Sequence, residues 1–126
     1  MILHINDAMT LEEVQSQFGE YFPFLRLCFY SRPHNKYESS DKKCMYGDKT
    51  LIADIRKNHV NGTLDIEGED TVEAVEQALK ETFDLNVQIF RYDALGCWIQ
   101  TSVSDVLTLQ QLSQMAADAL MISNGN

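Results

Sequence analysis

The chain has 126 residues, of which 44% are hydrophobic and 23% charged, and it carries a formal net charge of −9 at pH 7. That length holds one domain with a real core and is short for two, and the composition is that of an ordinary soluble globular protein. The acidic balance argues against nucleic acid or an anionic membrane as the main partner. No apolar run reaches the roughly 18 residues that a membrane span needs.

In chain order, Ile2 to Ile5 reads as a short strand. The residues around it lack the basic region and long apolar stretch of a secretory signal, so a cytoplasmic location is expected. Thr10 then opens a helix, with Glu13 three residues on as its capping-box partner. Leu11, Val14, Phe18 and Phe22 fall at helical spacing and form one buried stripe. Pro23 cannot continue a helix and returns the chain to an extended path. Phe24 to Tyr30 is the most apolar strand, with Leu25, Leu27 and Phe29 on one face and Phe24, Arg26, Cys28 and Tyr30 on the other. A half-exposed strand alternates apolar with polar residues. This one has aromatic residues on both faces, so its second face needs cover.

Residues 31–48 are polar, basic and turn-rich, and read as a long loop. A short helix opened by Thr50 follows, ended by the turn signal Asn61-Gly62. Residues 31–61 together carry a charge of +3 against −12 for the rest, which makes the molecule electrically lopsided.

The early pattern then returns 61 residues later, Leu64-Asp65-Ile66 and Thr71-Val72-Glu73-Ala74-Val75 answering Leu3-His4-Ile5 and Thr10-Leu11-Glu12-Glu13-Val14. The second helix buries Val72, Val75, Leu79 and Phe83. Leu85 to Phe90 is the matching strand, and its polar Asn86 and Gln88 let its outer face meet water. Arg91 to Gly96 forms a hairpin loop into a fifth strand from Cys97. Thr108 opens a final helix with an apolar face of Leu109, Leu112, Met115, Ala116, Ala119 and Met121.

These elements make a single α+β domain over 1–126, with an internal repeat (3–30 and 64–90) and a basic insert at 31–61. Two β-α-β units point to a mainly antiparallel sheet with helices packed on it. The arrangement resembles the ferredoxin-like fold, elaborated by a middle helix, a fifth strand and a C-terminal helix. That fold hosts regulators, RNA binders and enzymes alike, so the resemblance selects no function. A nucleotide-binding doubly wound fold is disfavoured, because no glycine-rich turn follows any strand.

For chemistry the chain offers little. His34, Cys44 and His59 match no metal-ligand spacing, and no metal or cofactor is expected. The three cysteines are unpatterned, as expected of reduced thiols in a reducing compartment; Cys28 and Cys97 read as strand residues, and Cys44 alone has the basic neighbourhood that favours thiolate. Glu67, Glu69, Asp70, Glu73 and Glu76 crowd the start of the second helix, where its dipole favours them without catalysis. The basic insert offers a small anionic metabolite a site near Arg32, His34, Lys42 and Lys43. The stronger hint is apolar surface around Phe24, Arg26, Tyr30 and Trp98, which suits either the terminal helix or a protein partner, including a second copy in a homodimer. The expectation is therefore a non-enzymatic binding module acting through protein–protein contact, with a ligand-sensing domain and an enzyme as the alternatives.

Overall fold

The computed structural model describes residues 1–31, 46–100 and 106–123, the side chains of 122 and 123 excepted. Among them the chain is α+β, with three α-helices, one short 3₁₀ turn and two antiparallel sheets.

The first sheet is small. β1 (Ile2–Ile5) turns Leu3 and Ile5 inward and leaves Ile2 and His4 outside, as period two dictates. It pairs antiparallel with β3 (Gly62–Asp65), Leu3 lying opposite Leu64. The Gln17 side-chain amide closes on both the N–H and the C=O of His4, at 2.8 and 3.0 Å, and so occupies the backbone groups of a strand edge. The second sheet runs β2 (Leu25–Tyr30), β4 (Asn86–Tyr92), β5 (Trp98–Gln100), all antiparallel.

This arrangement corrects the ferredoxin-like expectation. In that fold four strands share one sheet, whereas here β1 pairs with β3, and β2 with β4, in two sheets. The hydrogen-bonding partner of β2 is the strand after the second helix rather than the strand before it.

The helices follow their caps. Thr10 and Thr71 accept from the Glu13 and Ala74 N–H groups at 3.2 and 3.1 Å, opening α1 (Leu11–Tyr21) and α2 (Val72–Phe83). Thr108 and Gln111 close a full reciprocal capping box at the start of α3 (Leu109–Ser123). Thr50 departs from the pattern. The 3₁₀ turn spans Ile52–Ile55, has Leu51 at its cap position, and takes no side-chain cap bond. The Thr50 carbonyl instead accepts from the Leu11 N–H, and Leu51 bridges to Thr10.

Corresponding backbone bonds seat the 3₁₀ turn against the start of α1 and the start of α3 against that of α2. Ile52 N–H donates to Met9 O at 2.9 Å, and Leu109 N–H donates to Asp70 O at 2.9 Å. Leu11 N–H donates to Thr50 O at 2.9 Å, and Val72 N–H to Leu107 O at 3.0 Å. Leu3 faces Leu64 in one sheet and Cys28 faces Gln88 in the other, the partners that the sequence repeat superposes.

One apolar core joins these parts. Leu3, Phe18, Leu27, Phe29, Ile52, Leu79, Phe83, Leu85, Ile89, Leu109 and Leu112 all belong to it, each fully buried aliphatic or aromatic side chain contributing on the order of 1.5–3 kcal/mol. The buried stripe of α3 is narrower than its sequence suggested: Leu109, Leu112 and Ala116 are buried, while Met115 and Met121 are exposed. The outer face of β4 also departs from expectation. Gln88 is 0% exposed, and neither end of its amide meets a partner among the described residues. It faces Cys28 across the ladder, and that residue forms a small second apolar cluster with Tyr30 and Phe90.

An amide buried without partners costs stability. Gln88→Met, of similar volume, is therefore expected to raise stability by about 1 kcal/mol. Urea unfolding measures this directly, and a lower midpoint would show that the amide is bonded in solution.

Candidate functional site

The outer face of the second sheet changes character along its strands. Directly opposed residues share a face, so Tyr30 and Asn86, Cys28 and Gln88, and Arg26, Phe90 and Gln100 form successive rows. Tyr92 and Trp98 form the next row, and the Tyr92 N–H donates to the Phe24 carbonyl at 2.9 Å, which carries the register on to Phe24.

The four residues that the sequence singles out on this face therefore separate into two groups. Tyr30 is only 1% exposed and lies within the chain's own interior, so it is withdrawn from any contact surface. Burial, with the neighbouring Cys28, pushes its hydroxyl up to about 12, and the nearby Gln100 side chain opposes that rise without closing a well-formed hydrogen bond. Phe24 and Arg26 are half-buried and Trp98 is 36% exposed. These come together: the Trp98 ring packs on Tyr92 with centroids 5.1 Å apart, and the Arg26 guanidinium lies 6.0 Å from the Trp98 ring. Arg26 is steadied from the other side by Asp48, at 3.6 Å. An open groove of about 300 Å³ runs past Trp98, Arg26, Pro23, Gly19 and Gln15. Leu95, on the β4–β5 hairpin, is 87% exposed, and Tyr21 at the end of α1 is exposed too.

Tyr92 and Asp48 escape sequence reasoning. Tyr92 falls in the expected hairpin loop and Asp48 in the expected long loop, and neither carries a spacing that pairs it with Trp98 or Arg26.

Of the residues proposed for an anion, Arg32, His34, Lys42 and Lys43 lie outside the described residues, as does Cys44. The insert's described cations have other duties. Lys49 pairs with Glu12 at 2.6 Å. Arg56 has a side chain 0% exposed, and its five N–H groups are all engaged: with Asp7 Oδ1 at 3.1 and 2.8 Å, Val60 O at 2.7 Å, Phe83 O at 3.1 Å and Asn61 Oδ1 at 2.9 Å. His59 adds a 2.8 Å contact from Nδ1 to the other Asp7 oxygen. Burial raises the Asp7 carboxyl, but the hydrogen bonds and charges of Arg56 and His59 outweigh it and hold that carboxyl below its ordinary range.

The remaining candidates are likewise accounted for structurally. Burial pushes the Cys28 thiol up to about 11, far from a thiolate, with Arg26 opposing the rise. Cys97 precedes β5 and is exposed rather than a buried strand residue; its N–H donates to Asp93 Oδ1 at 2.8 Å. Glu76 leaves the acidic cluster altogether. It is buried, and its carboxylate accepts the Ile89 N–H at 2.9 Å. In the acidic turn, the hydrogen-bonded and like-charged Asp65 pushes the Glu67 carboxyl upward. Among the described residues no three His, Cys, Asp or Glu side chains gather into a set that holds a metal ion, and no helix is long and apolar enough to cross a membrane.

Two predictions follow from the Arg56 region. Arg56→Met leaves Asp7 and two backbone carbonyls without their donor, so the expected loss is about 3 kcal/mol, read by chemical denaturation. Arg56→Lys is expected to recover little of this, because an ammonium cannot reproduce five forked donors. The second concerns Asp84, which ends α2 in the left-handed region at φ 56. Its carboxylate accepts from the Asn58 N–H at 3.1 Å, the Lys57 N–H at 3.0 Å and Lys80 Nζ at 3.1 Å, which lowers it from 3.8 to about 2. A carboxylate lowered on folding stabilises the native state above its unfolded value and loses that stabilisation as pH falls through the folded value. The urea midpoint of the parent chain should thus fall between pH 4 and about 2 by more than that of Asp84→Asn, whose amide does not titrate. Equal slopes would dismiss the role of Asp84.

No protein-family model, curated protein or solved structure matches this chain.

Proposed function

We propose that the chain is a small non-enzymatic binding module acting through protein–protein contact, with a second copy of the chain as partner. The contact surface is the aromatic end of the outer sheet face, where Phe24, Tyr92, Trp98 and Arg26 meet. The observation that supports this most is Trp98, more than a third exposed yet held between the Tyr92 ring and the Arg26 guanidinium. A large side chain already ordered loses little entropy on binding, and Trp, Tyr and Arg are the residues that dominate protein interfaces. Leu95 and Tyr21 add exposed apolar area.

The charge distribution suits the same reading. A segment of +3 in a chain whose remainder is −12 complements a second copy, an attraction that weakens with salt. The exposed free thiol of Cys97 supports a reducing, cytoplasmic setting. We also infer that the chain is an internal duplication, two β-α-β units each closed by a helical turn. This rests on the corresponding backbone bonds of Ile52 and Leu109 and of Leu11 and Val72.

Light scattering over a range of concentrations, at low and high salt, tests the self-association. A dimer is expected, loosened by salt, and Trp98→Ala or Arg26→Glu should weaken it by at least about tenfold. A monomer throughout, or a dimer indifferent to both substitutions, overturns the proposal.

A further inference from the structure

Away from the aromatic end, a polar cleft of about 430 Å³ opens between Ser31 at the end of β2, Asn86 at the start of β4, the turn at Asp54–Lys57, and Lys80 and Asp84 at the end of α2. Its volume lies within the range typical of small-molecule sites. Three features bear on what it takes.

The first is Asn86. Its side-chain oxygen Oδ1 is buried and meets no hydrogen-bond partner among the described residues. A buried acceptor without a donor costs free energy, and its residue lines the cleft, so a hydroxyl of a bound molecule is a fitting donor once the side chain turns to meet it. The second is the state of the cations. Arg56 is fully committed to Asp7, Asn61 and the two backbone carbonyls. Lys80 spends one contact on Asp84, at 3.1 Å, and has further N–H groups to offer. Lys57 is exposed and lines the cleft. The third is that both Asp84 oxygens are already engaged, by Lys80 and by the Lys57 and Asn58 N–H groups. Asp54, also in the lining, is exposed and would oppose an anion, and Asp84 keeps its own negative charge beside Lys80.

We propose that this cleft binds a small hydroxylated anion of the sugar-monophosphate class, its phosphate on Lys57 and Lys80 and a hydroxyl donating to Asn86 Oδ1. Two lysines suit a phosphate as point charges, and the cleft lies beside the basic stretch of an otherwise acidic chain. The site is separate from the aromatic end, so it stands or falls independently of the protein-contact reading.

The test uses the full chain and three probes, ribose phosphate, ribose and inorganic phosphate, followed by titration calorimetry and by backbone amide NMR. Ribose phosphate is expected to bind more tightly than either fragment and to move the signals of residues 54–57 and 84–86, more weakly at high salt. Lys57→Gln is expected to weaken binding about tenfold, and Asp54→Asn to strengthen it. Asn86→Leu separates a binding role from a structural one: it removes an unsatisfied buried acceptor, so the free protein should melt no lower than the parent while ribose phosphate binding falls. No binding of ribose phosphate up to about 10 mM overturns the proposal. So does binding that ignores Lys57→Gln and Asn86→Leu, and inorganic phosphate binding as tightly as ribose phosphate removes the hydroxyl contact.

Discussion

Arg56 carries a permanent charge on a side chain that is 0% exposed, and much of the molecule is arranged to answer that charge. Its guanidinium meets Asp7 just after β1, Val60 and Asn61 just before β3, and the carbonyl of Phe83 at the end of α2. Three separated stretches of chain are thus fixed to one planar group whose donors cannot be satisfied piecemeal. A buried charge of this kind adds little net stability over an apolar replacement of equal fit. What it does impose is geometry, since the β1 exit, the β3 entry and the α2 terminus must all arrive within hydrogen-bond range of the same side chain.

That geometry is reinforced nearby. Asp84 takes the left-handed conformation that usually falls to Gly or Asn at a helix end. Its carboxylate compensates by binding the backbone of Lys57 and Asn58, next to Arg56, and by holding Lys80. The turn at 56–58 is therefore held from both sides, by Arg56 inward and Asp84 outward. The polar cleft lies on this scaffold, and the lysines lining it are positioned by a rigid turn and a helix end.

The second sheet divides its outer face between two environments. At the Tyr30 end, the phenol and the Gln88 amide are buried with polar atoms unpaired among the described residues. At the Phe24 end, three aromatic residues and an arginine lie half in water. One ladder supports both, because the period of two puts every second residue of β2 on that face whatever its surroundings. The inner face is apolar except for Arg91, which lies opposite Leu25, and it joins the main core with α1 and α2. The outer face is thus the part of the sheet free to serve a purpose other than packing.

Local rules were legible in the amino-acid order. Thr10, Thr71 and Thr108 cap helices because a hydroxyl at a helix start can accept from its free N–H groups. The stripes of Leu11, Val14 and Phe18 and of Val72, Val75 and Leu79 follow from helical spacing alone. The inward face of β2 follows likewise from the period of two. Tertiary structure decided the rest, because it depends on which segments meet. Pairing β2 with β4, rather than all four early strands in one sheet, is a long-range choice that leaves no mark on local periodicity. Burial of Gln88, Glu76 and Tyr30 follows from that choice, since polar alternation signals water only when nothing covers the face. Thr50 did not take its expected capping role, Leu51 bridging instead to Thr10, and Arg56, one of the cations of the basic insert, is a buried anchor. In each case the residue type limits what bonds are possible, and only the folded neighbours determine which of them is made.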